Sequence, residues 1–373
     1  MKRLFSAVLV ALALVSPARA AGPPHVDATA YLVVEGKTGE VLAARNAHEQ
    51  VAIASLTKLM TVLLTLEHAK LGNVVTVAPT ASSVGESSID LHAGDKLTVH
   101  DLLEGALIQS ANDAAYALAA YGGGGDVGRF VDAMNAKARA LHLRDTSYVR
   151  PDGLDAPGEH SSAADVTRLA RLLMQRPTVR RIVRMRTADI AGGRVLHTWN
   201  DLLGTFPGVI GVKTGHTNAA GWCEVAAVHR PGVTVYATIL GSPSRTQRNA
   251  DLASLLRWGL SRYRVESVIS EGRTYALAQT GYGRSPLRLV AAGPVRRTVN
   301  IDRPLVARVV AASTVSLPVR AGERLGTIRV FDGRRPVVTR PLVAAQAVSR
   351  PSLAARVAFY ARRTVKHIWS WIT

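Results

Sequence analysis

The chain carries a single cysteine, Cys223, among its 373 residues. One thiol cannot close an intramolecular disulfide, so a cross-linked scaffold is excluded, and in an oxidising compartment Cys223 is expected to be buried and unpaired. It also stands far from any His and Asn pattern of a cysteine peptidase, which leaves it a packing role. His pairs at metal-ligand spacing are absent too, so neither a metal nor a cofactor is expected. Acidic residues are scarce: 27 Asp and Glu against 46 Lys and Arg give a formal charge of +19. That balance admits nucleic acid, an anionic membrane or an acidic polymer as partner. No zinc-finger spacing and no aromatic-basic RNA-binding pattern accompanies it, so nucleic acid is not expected.

What the chain does have begins at its start. Lys2 and Arg3, an apolar run from Leu4 to Val15 and the small-x-small pattern Ala18-Arg19-Ala20 have the build of a secretory signal peptide over residues 1–20. The run is too short to span a bilayer comfortably. Without Lys2, Arg3 and Arg19 the mature chain keeps a charge of 19 − 3 = +16.

The remainder is long enough for one large domain and a smaller one. Tyr31 to Val34 and Glu40 to Ala43 predict a hairpin turning through Gly36 and Gly39. Ala54 to Lys70 has apolar residues at helical spacing, with Ser55 at its start. Helices are expected from His100 to Leu143, broken at Gly122 to Gly125, and Ser162 with Asp165 reads as a cap opening another. Strands return at Val209 to Thr214, Trp222 to Val228 and Val233 to Leu240, and a helix from Arg248 to Tyr263 closes the unit. Strands, then helices, then strands predict one α/β (α+β) domain over 21–268, with an antiparallel sheet and a helical subdomain.

From 269 to 348, short β-branched runs alternate with Gly, Pro and Arg turns, which predicts a small all-β domain. Its strands are expected at Leu287 to Ala291, Val295 to Ile301, Leu305 to Val310, Val315 to Val319, Leu325 to Phe331 and Pro336 to Val343. Asp332-Gly333 is a hairpin signal in the last pair. The final stretch, 349–373, predicts an amphipathic helix. Leu353, Val357, Ala361, Thr364, Val365, Ile368, Trp371 and Ile372 share one stripe, opposite Arg356, Arg362, Arg363, Lys366 and His367. Phe359 falls among the cations. A cationic amphipathic helix ending in Trp369 and Trp371 suits in-plane binding to an anionic membrane surface.

Three short motifs carry the chemistry: Ser55-Leu56-Thr57-Lys58, Ser110-Ala111-Asn112 and Lys213-Thr214-Gly215. On a helix, side chains three apart share a face, so the Lys58 amine can reach the Ser55 hydroxyl. A serine hydroxyl attacks only once a base takes its proton, and a lysine does so only when neutral. Burial and a second cation such as Lys213 both favour the neutral amine. Ser110 and Asn112, two apart on a turn before a helix, can both face a cleft, Ser110 relaying a proton and Asn112 holding a substrate amide or Lys58. Lys213-Thr214-Gly215 ends a strand-like run that continues into His216. An edge strand there can pair with a peptide, Gly215 allows close approach, and Lys213 and Thr214 suit a carboxylate. Ser-x-x-Lys and Ser-x-Asn alone are weak, Lys213-Thr214-Gly215 carries more weight, and their joint order within one exported domain is what makes them specific.

These motifs together are a known signature of penicillin-binding proteins and serine β-lactamases. Ala54 to Thr61, Gln109 to Ala115, Gly153-Leu154-Asp155 and Gly211 to Thr217 extend the match. Over nearly the whole mature sequence the chain resembles the D-alanyl-D-alanine carboxypeptidases of the low-molecular-mass penicillin-binding class. The β-rich domain and terminal helix resemble that family's second domain and membrane anchor.

The resemblance implies a serine β-lactamase/DD-peptidase-like fold on the periplasmic face of the inner membrane, active in peptidoglycan maturation and cell shape. It implies Ser55 as nucleophile, with Lys58, Ser110, Asn112 and Lys213 catalytic. Backbone N–H groups of Ser55 and His216 would form the oxyanion hole, while Lys213, Thr214, Gly215, His216 and Arg248 would hold the substrate. The expected partners are a peptidoglycan stem peptide ending in D-Ala-D-Ala and β-lactams as inhibitors. A class A β-lactamase would need a carboxylate that activates the deacylating water, with Glu159 in the corresponding region. A cross-link endopeptidase and a non-catalytic wall-binding scaffold are the other readings.

Overall fold

The computed structural model describes residues 10–13 and 22–369. The described residues divide into two compact units, Gly22–Ser261 and a second one running from Arg262 onward together with Val10–Ala13. The cleavage pattern Ala18-Arg19-Ala20 and the last residues of the terminal stripe, Trp371 and Ile372, lie outside the described residues.

The first unit is built on a five-stranded antiparallel sheet. The expected hairpin forms as β1 (Ala30–Glu35) and β2 (Val41–Arg45). Three long strands complete the sheet: β3 (Val209–Thr217), β4 (Gly221–Arg230) and β5 (Val233–Ser242), in the order β2-β1-β5-β4-β3. β3 therefore lies at an edge, with one row of backbone groups unpaired by the sheet. The helices are α1 (Lys58–His68), α2 (Val99–Glu104), α3 (Asn112–Gly122), α4 (Val127–Ala140), α5 (Ala163–Leu173) and α6 (Arg245–Ser261).

Residue parity along β5 shows that α5 and α6 cover opposite faces of the sheet. Thr238 bonds Thr167 of α5 at 2.6 Å, whereas Val235, three residues away, packs on Gly259 of α6. A Cβ on Gly259 would lie 2.8 Å from Val235, so only glycine lets α6 come this close. α1 is the buried centre of the helical layer: Lys58 through Thr65 are all buried. A helix apolar on nearly every side has no solvent face to lose, and Lys58 is carried into the interior with it. The Ser162 side chain accepts the Asp165 N–H at 3.2 Å and caps α5 as expected.

The second unit is all-β. Strands β7 (Thr274–Ala278), β8 (Leu287–Ala291), β10 (Leu305–Ala311), β11 (Arg324–Asp332) and β12 (Arg335–Ala344) form a sheet ordered β7-β8-β12-β11-β10. Val10–Ala13 pairs with the outer edge of β10. β6 (Tyr263–Ile269) pairs separately with β9 (Val295–Asn300). Asp332 faces Arg335 across the two-residue turn that Asp332-Gly333 signalled, and Gly333 has φ +57°, as such a turn requires.

Two expectations are corrected in this unit. Val315 to Val319 is no strand, because only Thr314 just before it and Val319 at its end make isolated bridges, to Gln279 and Val348. Phe359, which helical periodicity put among the cations of α7 (Leu353–Trp369), is the residue that packs inward, edge-on to Tyr282 at 5.7 Å. The stripe residues Leu353, Val357 and Val365 are left 78%, 65% and 56% exposed.

Candidate active site

The three motifs, spread over 160 positions from Ser55 to Gly215 in a chain of 373, line one cleft of about 220 Å³. Ser55 sits in the 3-10 turn Ala54–Thr57 that leads straight into α1. Ser110 ends a π-turn in a left-handed conformation, φ +65°, which bends the chain so that Ser110 and Asn112 face the same space before α3 begins. A non-glycine residue held there stores backbone strain of about 1–3 kcal/mol, a feature common at functional sites. Edge strand β3 brings Thr214, Gly215 and His216 to the opposite wall. Its Gly215 passes so near the Ser55 turn that a Cβ would stand 3.1 Å from the Ser55 backbone nitrogen.

Lys58 is fully buried, and its Nζ lies 2.7 Å from each of three oxygens: Ser55 Oγ, Asn112 Oδ1 and the Asp152 carbonyl. The last two can only accept. Asn112 is oriented by its own Nδ2, which donates to the Gly85 carbonyl at 2.9 Å. A neutral amine has two N–H groups and one lone pair, so in that state both protons would go to Asn112 and Asp152 and the lone pair would be turned to the Ser55 hydroxyl. Burial lowers the Lys58 pKa to about 8, against the opposing pull of the Asp152, Glu159, Asp113 and Glu86 carboxylates. Of the two causes expected, burial and a neighbouring cation, burial is the one that dominates at Lys58. Lys213 is itself held well below the usual range by burial first and by Lys58 second. Its Nζ donates to Ser110 Oγ at 2.7 Å and to the Thr214 carbonyl at 2.8 Å.

Arg248 lines the cleft but is 1% exposed and already engaged. Its Nε is 3.1 Å from Glu224 Oε2, and its terminal nitrogen donates to Asn249 Oδ1 at 2.7 Å. The guanidinium also lies 5.6 Å over the Trp222 ring, which in turn stacks on His216. Glu159 is not a cleft carboxylate. One oxygen accepts the Thr57 hydroxyl at 2.8 Å and the other the Arg150 N–H at 3.0 Å, so it clamps the 149–159 loop behind Ser55. A class A deacylating carboxylate is therefore lacking at that position. Cys223 is buried and unpaired, its thiol pushed up to about 11 by burial.

Sequence reasoning missed four contributors. Asp152 acts through its backbone oxygen, which no motif can announce. Asp113 fixes the cleft wall by accepting from Ser88 Oγ at 2.6 Å and from the N–H groups of Leu91 and Ala114 at 3.1 and 2.8 Å. Trp199 reaches the cleft from beside the unpredicted hairpin Thr187–Ile190/Arg194–His197. Glu224 is buried behind Arg248.

A serine hydroxyl 2.7 Å from a desolvated, buried lysine, beside a second Ser–Lys pair and an edge strand, is the arrangement of a serine hydrolase site of the Ser–Lys type. Residues 17–244 match the D-alanyl-D-alanine carboxypeptidase family, and the chain belongs to that family. Similar proteins include the D-alanyl-D-alanine carboxypeptidase DacD of Escherichia coli K12, 30% identical over 355 residues that cover 91% of each chain. The DacF enzyme of Bacillus subtilis 168 is 29% identical over 88% of this chain and 90% of its own. Among solved structures, penicillin binding protein 6B from Escherichia coli superposes with a TM-score of 0.64 at 28% identity, over 89% of this chain and 100% of that one. The Streptomyces K15 DD-transpeptidase superposes with a TM-score of 0.62 at 31% identity, over 65% of this chain and all of its own.

Proposed function

We propose that this protein is a serine-type D-Ala-D-Ala carboxypeptidase that removes the terminal D-alanine of peptidoglycan stem peptides through a Ser55 acyl-enzyme. The observation that carries this reading is the buried Lys58 amine, whose Nζ lies 2.7 Å from Ser55 Oγ and from two oxygens that can only accept. Ser55 Oγ attacks the carbonyl between the two D-alanines while its proton passes to Lys58 Nζ. The oxyanion is received by the N–H groups of Ser55 and His216, a contribution typically worth about 3–4 kcal/mol per donor. Ser110, bonded to Lys213, relays a proton to the departing D-alanine amine. Thr214 and Arg248, at the same end of the cleft, receive the terminal carboxylate, and Gly215 leaves room for the peptide along β3. Water then releases the acyl group by the reverse sequence. β-Lactams, which also carry a carboxylate beside a reactive amide, acylate Ser55 in the same way.

The exposed Leu353, Val357 and Val365 support a peripheral seat for α7 on the anionic periplasmic face of the membrane. Among the described residues no helix is long and apolar enough to cross a membrane.

D-Alanine release from a peptide ending in D-Ala-D-Ala, compared between the mature protein and Ser55→Ala, tests the reading. Release by the first alone, with penicillin labelling lost in the variant, is expected. Release from neither, with cross-linked peptide cleaved instead, makes the protein an endopeptidase. Inactivity on both substrates leaves a wall-binding scaffold.

A further inference from the structure

Glu224 is a buried carboxylate that the proposed reaction does not use. It lies on β4 directly across from Thr214 of β3 and is 0% exposed. Its contact with Arg248, 3.1 Å from Nε, lacks hydrogen-bond geometry, so both of its oxygens are buried without a hydrogen bond. An isolated buried carboxylate is costly, and what compensates this one is charge alone.

The groups facing it are Arg248 and Arg245 from α6, Lys213 from β3 and Asp201 from the loop before β3. Asp201 is itself bonded to Arg245 and 3.3 Å from Arg248. Glu224 does not line the cleft, whereas Arg248, Thr214 and Trp222 do. It therefore stands behind the cationic end of the cleft, sharing Arg248 with whatever anion arrives in front.

We propose that Glu224 is a positioning residue that sets the charge Arg248 presents to the substrate's terminal carboxylate, and that it takes up a proton from solvent when that carboxylate docks. The inference rests on the reading that Arg248 and Thr214 receive the carboxylate. Two carboxylates across one desolvated guanidinium repel, and the one that can neutralise at least cost does so. Burial has already raised the Glu224 pKa to about 7, with Arg248 pulling against it. A second anion raises it further and carries it across neutrality. The substrate carboxylate stays ionised and the proton comes from water.

The sign follows from linkage. A ligand that raises the pKa of Glu224 binds best below the free-protein value, and the advantage fades as pH climbs through the bound-state value. A rise of one pKa unit corresponds to about tenfold in affinity between pH 6 and pH 9.

Calorimetric titration of the full mature chain carrying Ser55→Ala with an acyl-D-Ala-D-Ala peptide, in two buffers of different ionisation enthalpy, reads both quantities. Expected are net proton uptake near pH 7, a Kd that weakens up to about tenfold toward pH 9, and loss of both when E224Q is added. The same peptide with a C-terminal amide binds more weakly and without uptake. Penicillin labelling of E224Q alone checks that its site is folded. An infrared difference spectrum of the Ser55→Ala protein needs no Glu224 variant: a protonated carboxyl band appearing on docking supports the proposal. Its absence overturns it, since uptake by Lys58 or Lys213 gives no such band. Uptake that survives E224Q also overturns it. Equal affinity for acid and amide peptides removes the carboxylate site itself, and the proposal with it.

Discussion

Gly153 packs so tightly against Ala54 that a Cβ on the glycine would stand 2.1 Å from the Ala54 carbonyl oxygen. Gly153 also has φ +80°, a conformation that side chains resist. The loop that supplies the Asp152 carbonyl to Lys58 is thereby pressed onto the turn that carries Ser55. Gly153→Ala should cost about 1–3 kcal/mol from backbone strain alone. It should also slow penicillin acylation on the order of 10²-fold, as the lysine loses its register with the serine. Thermal unfolding and acylation kinetics measure the two effects separately.

The acylation rate should rise with pH and level off above about 8, the value to which burial lowers Lys58. With the neutral amine as the proposed base, roughly a tenth of the protein is competent at pH 7. Lys58→Arg puts a permanent cation in its place and should lower acylation about 10²–10⁴-fold at every pH. A pH-independent wild-type rate between 6 and 9 would exclude Lys58 as the base.

Asn112→Ala removes an acceptor from Lys58 and leaves the Gly85 carbonyl without its donor. Acylation should fall about 10²-fold or more. Stability should fall by about 1–3 kcal/mol, the usual cost of an orphaned buried polar group. Asn112→Asp keeps the shape but adds a negative charge beside Lys58. It should raise the lysine pKa and move the alkaline plateau upward.

Asp113→Ala strips one residue of four bonds, to the Ser88 hydroxyl and the N–H groups of Ile89, Leu91 and Ala114. Because these span the cleft wall beside Glu86 and Ser87, the substitution should destabilise the fold by about 3 kcal/mol. It should raise KM more than it lowers kcat, since Asp113 touches no reacting atom. Urea unfolding and steady-state kinetics check both.

Removing Pro351–Thr373 should abolish sedimentation with vesicles rich in anionic lipid and leave peptide turnover intact. Replacing Leu353, Val357 and Val365 by serine should do the same while keeping every cation, because the exposed apolar stripe is what enters the interface. Binding unchanged by the serines would assign the attraction to charge alone.

Where function depended on local signals, the sequence was readable. Ser55 and Lys58 are three apart, a separation short enough for helical geometry alone to join them. The β11–β12 turn and the cap at Ser162 were legible for the same reason, since their partners lie within three residues. The segment Val315 to Val319 misled because β-branched composition says that a run can be a strand, while an isolated strand needs a neighbour that only the fold supplies. Phe359 misled likewise: periodicity describes the helix surface, and Tyr282 decides which part of it is covered.

By itself the sequence determined the Ser55–Lys58 pairing, the order of the motifs and the family, because these reside in residue identity and short spacing. Tertiary structure alone decided how the lysine is desolvated and aimed. Its lowered pKa follows from burial, its bonding from Asn112 and from a backbone oxygen 94 residues further along the chain. Only the fold, too, put Glu224 behind Arg248. Desolvation and hydrogen-bond direction are properties of a site's surroundings, and those surroundings exist only once distant segments have packed together.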